Sequence, residues 1–63
     1  MTYTQALLLR TGHAVQSRKD GSWGRVTDVD VGSAVQVRWN ADGKRDWFFL
    51  NEAVELLAMK EGG

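Results

Sequence analysis

Apolar and polar residues alternate most cleanly over positions 34–40, where Val35, Val37 and Trp39 fall on one side of an extended chain and Gln36 and Arg38 on the other. A period of two marks a strand with one buried face. Three neighbouring stretches carry the same kinds of residue. Residues 13–17 (HAVQS) form a short run with Val15 expected inward, and Trp23–Asp30 a longer one. In the longer run Val26 and Val29 stand three apart, which breaks the alternation and predicts a bulge near Thr27 and Asp28. Residues 44–49 make a fourth run. Either Trp47 and Phe49 or Phe48 faces inward there, because a slip of one residue exchanges the faces. Asp20-Gly21, Val31-Gly32-Ser33 and Asp42-Gly43 separate the runs, and glycine supplies the positive φ that a tight turn needs.

The two ends are less regular. Leu7, Leu8 and Leu9 in a row fit neither an alternating strand nor a helical stripe. Residues 1–11 are therefore expected to be a lead-in that covers the open end of a barrel, or an arm that reaches a neighbouring subunit. At the other end, local propensity favours a helix: Asn51 suits an N-cap, and Gly62 would terminate it. Four antiparallel strands leave two open edges, however, and a fifth strand would close the sheet. One helical turn at 51–53 followed by a strand at 54–57 meets both demands. The expected class is all-β, a five-stranded small barrel over residues 12–59 with a one-turn helix before the last strand, and a flexible tail at 60–63.

Composition narrows the picture. A chain of 63 residues makes one domain, and one this small buries only about 60% of its unfolded surface. With no cysteine and one histidine, disulfides and thiolate or polyhistidine metal sites are excluded, which fits a reducing cytoplasm. Three Trp, two Phe and one Tyr are expected to supply a compact core, since each ring buries roughly 150–250 Å². A barrel of this size cannot hold six rings at its centre, so some are expected outside. Eight basic and eight acidic residues cancel, leaving no overall field for nucleic acid or anionic lipid. Their distribution is uneven: seven basic and four acidic residues through Arg45, then one and four from Asp46 onward. No window is long and apolar enough to span a membrane, and residues 1–10 lack a charged region ahead of the short apolar run, so a cytoplasmic location is expected.

Taken in order, Gly12-x-x-Val15, Asp20-Gly21-x-x-Gly24-x-Val26-x-x-Val29, Val35-x-Val37-x-Trp39-x-x-x-Gly43 and Val54-x-Leu56 resemble the small SH3-like barrels of the KOW, Tudor and Mib–Herc2 kind. The resemblance covers residues 12–57. It implies that the first Gly–Val pair opens strand one, that Gly24-x-Val26 opens strand two, and that Val35-x-Val37-x-Trp39 lies centrally. It also implies a one-turn helix before the last strand. It speaks to fold rather than function, because this fold hosts many binding roles. The chain departs from the Mib–Herc2 pattern in its short first loop, residues 18–22.

Candidate chemistry is sparse. His13 is the one imidazole, and no nucleophile motif surrounds Ser17, Ser22 or Ser33. Asp28 and Asp30 share a side of an extended strand but offer too few ligands for a hard cation. No catalytic residue, cofactor site, metal site or small-molecule substrate is predicted, and the chain reads as non-enzymatic. Binding has more support. Trp23, Trp47 and Phe48 are the candidates for an exposed aromatic patch that contacts a protein partner or a second copy as a homodimer. The alternative is single-stranded DNA or RNA held by Arg18, Lys19, Arg25 and Arg38, with Trp23 stacking on a base.

Overall fold

The computed structural model describes residues 1–59. The tail expected at 60–63, with Gly62 as a helix terminator, lies outside the described residues. Helix α1 (Tyr3–Leu8) leads into strands β1 (Ala14–Ser17), β2 (Trp23–Asp30), β3 (Ala34–Trp39) and β4 (Arg45–Phe49). Helix α2 (Leu50–Leu56) and strand β5 (Leu57–Met59) complete the chain. The strands form one antiparallel sheet in the order β4-β3-β2-β1-β5.

The alternation at β3 has its expected consequence. Val35 and Val37 are fully buried and Trp39 packs partly against them. The ladder between β2 and β3 shifts register between Val26 and Asp28, so the bulge falls where the valine spacing put it. Val26 is buried opposite Val37, and Val29 packs on the core opposite Val35. The register of β4 is settled with Phe48 inward, opposite Val35, and with Trp47 and Phe49 outward, opposite Gln36 and Ala34.

Three expectations are corrected. The core is aliphatic rather than aromatic: Leu9, Val15, Val26, Val35, Val37 and Leu57 are its largest fully buried side chains, and no aromatic ring is fully buried. Each such aliphatic side chain contributes roughly 1.5–3 kcal/mol on burial, and their compact shapes fill the tight curl of so small a sheet. The second correction concerns the carboxyl-terminal part, where α2 runs over seven residues instead of a single turn at 51–53, and the strand begins at Leu57 instead of Val54. Leu50, Ala53, Val54 and Leu57 stand at i, i+3, i+4 and i+7, which is a helical stripe, and all four belong to or pack against the core. The third concerns closure: β5 pairs with β1, and among the described residues nothing pairs β5 with β4. The sheet is a curled half-barrel, with α2 spanning the gap.

The leading segment is also helical. Thr2 Oγ1 accepts the Gln5 N–H and Gln5 Oε1 accepts the Thr2 N–H, a reciprocal cap. Of the three leucines only Leu9 enters the core, beside Ala6, while Leu7 and Leu8 stay outside. Helix α1 rests against α2, and both alanines in the cluster, Ala6 and Ala53, are buried.

Candidate functional site

The gap between β4 and β5 opens into a cleft of about 460 Å³, within the size range of ligand pockets. Its apolar floor comes from Trp39, Phe48, Leu56 and Leu57, with Trp47 at the side of β4. The rings of Trp39 and Phe48 meet edge to face with centroids 6.2 Å apart. This geometry has a local cause: Gly24 lies opposite Trp39, and its missing side chain leaves room for the indole. The indole Nε1–H donates to Asp46 Oδ2 at 2.7 Å, which satisfies the polar edge of the ring and fixes its orientation.

Among the described residues four carboxylates line the same cleft, Asp20, Asp42, Asp46 and Glu52, against one cation, Lys19. Each holds a local hydrogen bond. Asp20 Oδ1 accepts the Ser22 N–H, Asp42 Oδ1 the Lys44 N–H, and Glu52 Oε1 the Phe49 N–H at the start of α2. The Ser22 backbone and side-chain bonds hold the Asp20 carboxyl below its usual range, so that group is ionised at neutral pH. Among the described residues no three His, Asp or Glu side chains are grouped as a metal ion needs. The negative charge is therefore spread around an aromatic floor rather than focused on a point.

The sequence-derived candidates are not on one surface. Trp47 is about half exposed on the outer face of β4 (51%), Phe48 points inward to the cleft and core, and Trp23 is partly buried two strands away in β2, opposite Gln16. Of the cations proposed for nucleic acid, Arg25 and Arg38 are cross-strand neighbours on the outer face, where Arg45 extends the row. Arg18 and Lys19 belong to the β1–β2 loop, and Lys19 faces the cleft. The outer face also carries Asp28, opposite Gln36, and Asp30, opposite Ala34. His13 Nδ1 accepts the Arg10 N–H at 3.0 Å, a bond that ties the α1–β1 loop. Sequence reasoning passed over Phe49, which is 64% exposed, and the carboxylates of the cleft. The acidic run from Asp46 onward was the one signal for the carboxylates. Their gathering with Asp20 and Asp42 depends on loops far apart in the chain.

Among the described residues no helix is long and apolar enough to cross a membrane. Compared with family models, with curated proteins and with solved structures, the chain matches none of them.

Proposed function

We propose that the protein is a non-enzymatic interaction module of the SH3-like class that binds a basic polypeptide segment in the cleft between β4 and β5. The class is supported by the strand order β4-β3-β2-β1-β5 and by the short helix that leads into β5. The observation that carries the ligand is the pairing of Trp39, Phe48 and Trp47 with four carboxylates around one opening. A lysine or arginine side chain brings a charge for the carboxylates, and its cation is attracted to an aromatic face.

The test is a tryptophan-fluorescence titration with a lysine- and arginine-rich peptide, against a peptide of the same length with glutamine at the basic positions. The basic peptide is expected to bind and the neutral one not. Asp42→Asn together with Glu52→Gln keeps the capping oxygens and removes two charges. Affinity is expected to fall about tenfold, two exposed pairs at up to ~1 kcal/mol each. Equal binding of both peptides would defeat the proposal. A nucleic-acid contact draws its support from the row Arg25, Arg38 and Arg45. Its signature is an affinity that falls steeply with salt as counterions are released.

A further inference from the structure

The outer face of the sheet meets the cleft at Trp47 and continues away from it through Phe49 and Arg45. Trp47 and Phe49 project from it on an edge strand, 51% and 64% exposed. Among the described residues no strand pairs with the backbone of that edge. Trp39 N–H donates to Lys44 O and Leu50 N–H to Ser33 O, which fixes the parity of the β3–β4 ladder. Hydrogen-bonded pairs alternate with non-bonded ones in an antiparallel ladder. Asp46 and Phe48 therefore turn their backbone groups toward β3, and Arg45 and Trp47 turn theirs away from it. Phe49 N–H is already held by Glu52. An edge of this kind is a template for another strand.

The charge on this face selects the occupant. Arginines stand at the end of the face near the 40–43 turn, as the cross-strand row Arg25, Arg38 and Arg45, and carboxylates stand toward the other end, at Asp28 and Asp30. The face is a dipole along the strand direction. A polyanion meets repulsion at one end of it and a polycation at the other. An antiparallel copy of the same face meets attraction at both, because a two-fold axis sets each end against its opposite.

We propose that β4 pairs with β4 of a second copy across a two-fold axis at Trp47, extending the sheet from one molecule into the next. Registers centred on Arg45, Asp46 and Trp47 all use the outward groups of Arg45 and Trp47, and centring on Arg45 sets two guanidiniums face to face, which is unfavourable. Centring on Asp46 sets two carboxylates face to face, which is unfavourable. Centring on Trp47 sets the two indoles together, exchanges their backbone hydrogen bonds, and places Arg45 opposite Phe49 of the second copy. That contact joins a guanidinium to an exposed ring. The row of three arginines then runs on into Phe49, Ala34 and Asp30 of the second copy.

Sedimentation over a range of protein concentrations tests this. The native chain is expected to show a twofold rise in sedimenting mass. Phe49→Lys sets like charges across the axis and is expected to leave a monomer. Adding Arg45→Glu to it restores the dimer, since the two new side chains oppose each other with opposite charge. Neither Phe49 nor Arg45 lines the cleft, so neither substitution removes a peptide contact, whereas Trp47 and the edge of β4 border it and a paired β4 narrows the opening. A native chain that stays monomeric, one that takes only a foreign strand at this edge, a Phe49→Lys variant that still dimerises, or a folded double variant that stays monomeric would each overturn the proposal. Should Phe49→Lys fail to fold by circular dichroism, amide exchange of the native chain decides. The Trp47 N–H is expected to slow as concentration rises, and an unchanged rate counts against the dimer.

Discussion

A methyl group on Gly24 would sit 2.7 Å from Val37 Cγ1, 2.8 Å from the Arg38 carbonyl oxygen and 3.0 Å from Trp39 Cε3. None of these neighbours is the free end of a flexible side chain, since Val37 is buried, the carbonyl is in β3 and the indole is tethered to Asp46. Gly24→Ala is therefore expected to destabilise the fold by about 1–3 kcal/mol in urea denaturation, as overpacking of a close-packed site does. The same substitution displaces Trp39 and so reaches the cleft. In the sequence Gly24 stands as the glycine that opens strand two, and the structure shows that its backbone approaches the neighbouring strand closely. Its purpose, making room for a ring on the neighbouring strand, is visible only once Gly24 and Trp39 are set opposite each other.

Helix α2 and β5 carry the main lesson at the level of elements. Leu56 and Leu57 are adjacent, yet Leu57 is fully buried and Leu56 is 40% exposed. A strand over 54–57 would have buried Val54 and Leu56 instead. Leu57→Ala is expected to cost about 2–5 kcal/mol, while Leu56→Ala stays within about 0.5 kcal/mol, measured by chemical denaturation. The reverse order would restore the strand. Local propensity favoured a helix here, with Asn51 as its cap where the structure has Phe49, but the need to close a barrel pointed toward a strand. The molecule meets that need differently: α2 bridges the gap and β5 needs only three residues beside β1. Helix α1 was illegible for a similar reason, since its inward stripe is short and two of its leucines face outward.

For the molecule as a whole, zero net charge conceals two separate patterns, an acidic cleft and a dipolar outer face. Arg18 and Lys19 lie in the β1–β2 loop, apart from the arginine row on β2, β3 and β4, and Asp28 and Asp30 share that row's face. A fluorescence titration with short single-stranded oligonucleotides is accordingly expected to be flat even at low salt. A saturable signal that weakens steeply with added salt would favour the nucleic-acid reading instead. Alternation, valine spacing and Asp-Gly turns determined the four-strand meander by themselves, because burial of one strand face and positive φ at glycine are local demands that a few neighbouring residues express. Which rings lie inside, where α2 gives way to β5, and which carboxylates share a cleft were decided only in three dimensions. Those outcomes depend on how much volume the curl encloses and on which distant loops it brings together, and neither quantity is written in any short stretch of chain.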